Sequence, residues 1–180
     1  MKKNLFVFLP LAIILLTGCI ISNNFTAYHR LALNAIENGS QESANEYAKI
    51  LTEMSDSMQE KAVAQMIKGY VHFLSNEYHE AIYDFNLSID YNKNEASIVG
   101  ITLSHFMLNQ YEMVLFQIDK LENVSNEWHM MVNHDFLTKN RIYEICALSC
   151  AVLKDKNAFD TLKVKIKTEN IQMMEGFFFE

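Results

Sequence analysis

The sequence predicts an all-α protein built of antiparallel helix pairs, on three observations. Its 180 residues hold only five glycines and one proline, and Gly18 and Pro10 both fall at the N-terminal end. Sheets need far more turn punctuation than the rest of the chain supplies. Apolar residues then recur at three- and four-residue spacing almost throughout, as on helices with one buried face. Short polar breaks, such as Asn38-Gly39-Ser40 and Ser75-Asn76-Glu77, separate these stretches at lengths that join antiparallel neighbours.

The first element is not part of that fold. The opening MKKNLFVFLPLAIILLTGC places Lys2 and Lys3 before an apolar run from Leu5 to Leu16, followed by the small Thr17 and Gly18. This is the basic, apolar and small-residue order of a secretory signal. At ~1.5 Å per residue the run covers ~18 Å, short of a ~30 Å hydrocarbon core. Pro10 also disfavours one straight spanning helix. Leu16-Thr17-Gly18-Cys19 resembles a bacterial lipobox. The resemblance implies cleavage before Cys19 and acylation of its thiol and new amine. Several acyl chains give a stable anchor, where one would be marginal. Ile20 stands where many lipoproteins retained at the inner membrane carry Asp, so the resemblance implies the periplasmic face of an outer membrane, or the cell membrane in a Gram-positive organism.

Losing Lys2 and Lys3 with the leader moves the formal charge from −7 to −9. An acidic chain argues against nucleic acid and against a polybasic membrane patch. With Cys19 acylated, Cys146 and Cys150 remain, too few for a disulfide scaffold. Packing must hold the fold, and the chain is long enough for one domain with a real core.

The periodicity predicts helices over 25–38, 41–54, 59–75, 78–91, 94–108, 111–122, 128–153 and 156–172. Residues 62–95, AVAQMIKGYVHFLSNEYHEAIYDFNLSIDYNKNE, carry Gly69, Tyr78, Glu80-Ala81-Ile82, Phe85, Ser88 and Ile89 at offsets that resemble a tetratricopeptide repeat. Gly69 and Ala81 would let two helices approach closely, with Tyr78 and Phe85 filling the space beside them. Gln65 and Lys68 depart from the pattern, which usually has bulky apolar residues there. Tyr28, Leu31, Ala32 and Ala35 with 43–51 form an earlier copy, and Ile98, Ile101, Thr102, His105, Tyr111, Val114, Ile118 and Leu121 a later one. Ala44, Ala81 and Val114 mark the register at separations of 37 and 33 residues, near the ~34 of the family. Tyr143, Cys146, Ala147 and Cys150 fit a degenerate fourth copy. The chain thus divides into a leader (1–18), a lipidated tether (19–24), three repeats (25–121) and a C-terminal part (122–180) with capping helices and a Phe-rich tail. The resemblance implies a tetratricopeptide-like α-solenoid.

Candidate chemistry is sparse. Tyr78-His79-Glu80-Ala81-Ile82-Tyr83 begins like a zincin HExxH, but Tyr83 takes the second ligand position. Cys146 and Cys150 share a helical face with no further ligand beside them and fall where the repeat wants small core residues. Trp128-His129 and His134-Asp135 form no dyad by themselves, because adjacent helical residues point ~100° apart. No nucleophile elbow or glycine-rich phosphate loop is present. The expectation is therefore no enzyme, no cofactor, no metal and no small-molecule substrate.

What remains is surface recognition. The resemblance implies a concave groove lined by the first helix of each pair: His29 and Leu33, then Met66, Tyr70 and Phe73, then Val99, Leu103 and Phe106. The alternative is that several of these pack against the 128–153 helix instead. Met66, Tyr70, Val99 and Leu103 replace the Lys and Asn of a carboxylate clamp, so an apolar groove would take an amphipathic helix or an extended segment. The tail Gly176-Phe177-Phe178-Phe179-Glu180 would fold back or form a docking patch. The expected function is an envelope adaptor or assembly factor for pilus, secretion or cell-wall machinery. The alternative is a lipid-anchored immunity or exclusion protein that neutralises a toxin or a conjugation partner.

Overall fold

The computed structural model describes residues 24–122 and 139–166, and every regular element among them is an α-helix. Residues 24–37 form α1, followed by α2 (Gln41–Met54), α3 (Met58–Leu74), α4 (Tyr78–Tyr91), α5 (Glu95–Met107), α6 (Tyr111–Glu122), α7 (Lys139–Val152) and α8 (Lys156–Lys163). The boundaries of the first six agree with the periodicity to within about one residue. Of the predicted 128–153 helix, residues 139–152 are helical and 128–138 lie outside the described residues.

The predicted 156–172 helix needs correction within the described residues, because α8 stops at Lys163, while 167–172 lie outside them. Lys165 N–H bonds the Leu162 carbonyl and Ile166 N–H that of Lys163, a tightened closing turn. The run Lys163-Val164-Lys165-Ile166 alternates lysine with β-branched residues, which are weak helix formers. The closing turn buries Ile166 and leaves Val164 in solvent.

The described helices come in four hairpins closed by one kind of turn. Gly39, Asn76, Asn109 and Lys154 have φ of 66°, 61°, 57° and 57°. In each case the next residue's N–H reaches back five positions: Ser40 to Ala35, Glu77 to His72, Gln110 to His105 and Asp155 to Cys150, at 2.8–2.9 Å. This left-handed closure satisfies helix-end carbonyls that would otherwise be orphaned. Glycine and asparagine tolerate it best, and Lys154 is the exception.

Side chains keep register with those turns. Seven residues before each left-handed position stand Ala32, Gly69, Thr102 and Ala147, and five residues after it Ala44, Ala81, Val114 and Phe159, all buried. Consecutive helices from α2 to α6 pack on one another, as do α6 with α7 and α7 with α8. The first helices of successive hairpins also touch, α3 with α5 and α5 with α7.

Hairpins are joined to one another differently. Ser57 and Asn94 sit in extended backbone and cap α3 and α5. Ser57 Oγ accepts the Glu60 N–H at 3.2 Å, and Glu60 Oε2 accepts the Ser57 N–H at 2.9 Å, a reciprocal capping box. The Ser57 backbone N–H, against a smaller opposing effect of burial, holds the Glu60 carboxyl below its ordinary range. Ser57→Ala should lower stability by about 1 kcal/mol. Because the folded pKa of Glu60 is depressed, its contribution is present above the unfolded value and is lost as pH falls through the folded one. Urea melts should therefore show a gap between wild type and Glu60→Gln at about pH 7 that closes below about pH 4. A gap that widens in acid would contradict the cap.

At the centre, the Phe85 ring lies between two helices. A β-carbon on Gly69 would meet ring atoms at 2.7 Å, and one on Gly100 would meet them at 2.3–2.6 Å. Gly69 thus makes room for a ring rather than for the backbone of α4, and Gly100 shares that task from α5. Tyr70 meets Phe85 edge to face at 4.7 Å between centroids, and its hydroxyl donates to the Ala96 carbonyl at 2.7 Å. A buried polar knot stands beside it. Ser88 Oγ donates to the Ala62 carbonyl at 2.7 Å and accepts from Asn94 Nδ2 at 3.0 Å and Ser97 Oγ at 2.9 Å. These bonds tie α3, α4 and α5 together with every partner satisfied, the condition under which a buried network stabilises.

Candidate functional site

Lys68 and His72 stand one turn apart on α3 and so share a face. Opposite them on α4 is Asp84, 1% exposed, a carboxylate that burial would penalise heavily without partners. Its Oδ1 lies 3.3 Å from Lys68 Nζ and its Oδ2 3.3 Å from His72 Nε2. The other ring nitrogen of His72 is 2.7 Å from Glu77 Oε2. The departure at Lys68 thus has a structural cause, since Lys68 pairs with a buried acid on the partner helix. Both ring nitrogens of His72 face carboxylates, so the imidazole is committed to the fold and presents no spare nitrogen to a substrate.

Above this cluster opens a cleft of about 690 Å³, lined by Gln41, Glu42 and Asn45 of α2, Lys68, Val71 and His72 of α3, and Ser75 and Glu77 of the turn. Gln41 Nε2 donates to Ser75 Oγ at 2.6 Å and bridges its two walls. The positions matching Lys68 in the next two hairpins are Ile101 and Cys146, both buried, and Asn45 is matched by Ile82. Between the second and third hairpins (Ile82 and Ile101) and between the third and fourth (Leu115 and Cys146), apolar side chains therefore stand at both positions. Only between the first two hairpins, among the described residues, do they give way to a polar, open surface.

Two turns carry a motif that the sequence reading missed. His72-Phe73-Leu74-Ser75-Asn76-Glu77-Tyr78 and His105-Phe106-Met107-Leu108-Asn109-Gln110-Tyr111 share His, Phe, Asn and Tyr at matching places. The Tyr hydroxyl donates to the Asn side chain at 2.7 and 2.8 Å, and the Phe ring meets the Tyr ring edge to face at 5.5 and 5.8 Å. His105 Nδ1 lies 2.7 Å from Gln110 Oε1, as His72 does from Glu77. The identity was legible in the sequence; the clasp it forms was not.

The residues assigned to a concave groove lie mostly in the interior. His29, Leu33, Met66, Tyr70 and Val99 are buried, while Phe73, Leu103 and Phe106 are partly buried and pack on the core. Burial pushes the Tyr70 hydroxyl well above its ordinary pKa and keeps it a donor to Ala96. Exposed apolar side chains occur elsewhere, among them Tyr83 on α4 and Met113 and Phe116 on α6.

Cys146 and Cys150 are core residues. Burial, and then the neighbouring Cys150, pushes Cys146 up to about 12. Burial, and then Asp155, pushes Cys150 up to about 11. Both stay protonated, and Cys146 Sγ donates weakly to the Val114 carbonyl at 3.7 Å. His79 and Tyr83 are exposed on the outer side of α4, and no cluster of metal-ligating residues occurs among the described residues. Cys19, Trp128, His129, His134, Asp135 and Phe177 to Phe179 lie outside the described residues. Among the described residues no helix is long and apolar enough to cross a membrane. Comparison with known protein families, with curated proteins and with solved structures finds no match for this chain.

Proposed function

We propose that the chain is a lipid-anchored scaffold, a tetratricopeptide-like solenoid held to a membrane through Cys19, that binds a protein partner as an envelope adaptor or assembly factor. The observation that carries this reading is the recurrence of one left-handed turn, with buried side chains at fixed offsets, across all four hairpins. Stacked supersecondary units of this kind bury a shared core and leave side surfaces free for recognition. With most of the apolar groove candidates drawn into the core, the docking surface is the cleft between α2 and α3, where a repeat position is polar and open. Its amides and carboxylates suit a partner that offers hydrogen-bonding groups more than an apolar helix.

The anchor predicts that a clickable fatty acid supplied to cells labels the wild type and not Cys19→Ser. Equal labelling of both would remove it. The cleft is tested with a photo-crosslinking residue at Asn45 and, as control, at Asp160. A discrete adduct from Asn45 alone, containing a pilus, secretion or cell-wall component, supports the adaptor. A toxin or a conjugation protein in that adduct transfers the reading to immunity or exclusion. Identical patterns from both positions would overturn the cleft assignment.

A further inference from the structure

We infer that the cleft between α2 and α3 takes a cationic side chain, arginine or lysine, of the partner protein. The inference rests on the cleft assignment above and is independent of the anchor. It follows from which polar groups of the cleft the fold already uses and which it leaves over. Lys68 Nζ is answered by Asp84 at 3.3 Å, and the His72 ring by Asp84 at 3.3 Å and Glu77 at 2.7 Å. Gln41 donates to Ser75 Oγ, which itself donates to the Val71 carbonyl. Both cationic side chains of the cleft are thus spent on the fold. Left over are Glu42, Asn45 and the second carboxylate oxygen of Glu77, none with a hydrogen bond or ion pair among the described residues. Glu42 and Asn45 are exposed, and the Glu77 side chain is 54% exposed. Apart from the Asn45 amide nitrogen, the unspent groups are acceptors, on α2 and on the turn opposite. A guanidinium or an ammonium brings only donors and a positive charge, which these oxygens lack.

The local charge agrees. Glu42, Glu77 and Asp84 against Lys68 leave a formal −2, or −1 with His72 protonated. Lys49, the other cation of α2, lies about 10 Å further along that helix, with exposed Glu46 and Glu53 one turn to either side. Helix ends change this little. The start of α2 meets the end of α3, so their opposite half-charges cancel, leaving about +0.5 from the start of α4. Over residues 24–91, the first two hairpins, ten acidic residues stand against four basic ones, a formal −6. A field of that sign steers a cationic group toward the cleft and turns an anionic one away.

The test uses the full chain in non-ionic detergent at physiological ionic strength. The probes are end-blocked tetra-arginine and tetra-citrulline peptides, which match in shape and differ in charge, each with an uncharged fluorophore read by anisotropy. Tetra-arginine should bind and tetra-citrulline should not. Glu42→Gln with Glu77→Gln should weaken tetra-arginine about tenfold, the effect of losing two partly exposed ion pairs. The clasp tolerates an amide at 77, since Gln110 holds His105 in the same way at 2.7 Å. Glu53→Gln with Asp90→Asn removes the same charge from exposed sites elsewhere on α2 and α4 and should weaken binding by less than about twofold, because salt screens distant charges. Equal losses in the two double variants, or equal binding of the two peptides, would overturn the inference. A specific crosslink at Asn45 without tetra-arginine binding removes the cationic ligand alone. Identical crosslinking from Asn45 and Asp160 removes the cleft itself.

Discussion

Gly100→Ala should destabilise the protein by about 2–3 kcal/mol, the cost of overpacking a filled core. The sign is the informative part. In an exposed helix interior the same change would stabilise by roughly 1 kcal/mol, because alanine has less backbone entropy to lose. Here the new methyl would sit 2.3–2.6 Å from three atoms of the Phe85 ring. That ring is fully buried and is held from the other side by Gly69 and edge-on by Tyr70. Gly69→Ala should act in the same direction and less strongly, since its contacts start at 2.7 Å. Urea unfolding of both variants, alone and with Phe85→Leu, forms a double-mutant cycle. The smaller side chain should recover part of the loss, with a coupling of about 0.5–3 kcal/mol. A Gly100→Ala protein more stable than wild type would mean that Phe85 does not sit between α3 and α5.

Phe159→Ala should cost about 3–5 kcal/mol, the usual range for deleting a buried aromatic ring. Phe159 is 1% exposed and is the bulkiest of the four side chains five residues past a left-handed turn; the others are Ala44, Ala81 and Val114. It is the largest buried side chain of α8, the helix that packs on α7. The native thiols report on the same contact. Burial keeps Cys146 and Cys150 protonated and out of reach, so in a Cys19→Ser background a thiol reagent should modify them only through opening. A loss of 3 kcal/mol corresponds to about a hundredfold faster labelling where opening limits access. Unchanged labelling in Phe159→Ala would place the thiols under a different lock.

Local chemistry was easy to read from the residues. Helix limits followed from apolar spacing, and the turns at Gly39 and Asn76 from residues that accept left-handed backbone. The His-Phe-Asn-Tyr motif was legible too, as a spacing of 33 between His72 and His105, but the clasp needed the positions of both rings and both side-chain oxygens. The cleft was hinted at only as a defect, a lysine where an apolar residue was expected. Its meaning depended on Asp84, sixteen residues away on another helix.

The groove shows where sequence reasoning ran out. Of the thirteen residues of α5, nine are buried, including Ser97, Thr102, Ser104 and His105. That helix packs on α3, α4, α6 and α7, so it has no single apolar stripe for periodicity to find. The sequence by itself determined that the described residues are helical, where the first six helices begin and end, and that Asn38-Gly39-Ser40 and Ser75-Asn76-Glu77 close the first two hairpins, because these depend on backbone conformation within a few residues. Only the tertiary structure decided that Met66, Tyr70 and Val99 are interior, that Gly69 and Gly100 share one ring, and that the open surface lies between α2 and α3. Burial is set by the neighbours a helix acquires on every side, and those neighbours come from parts of the chain that local pattern cannot bring together.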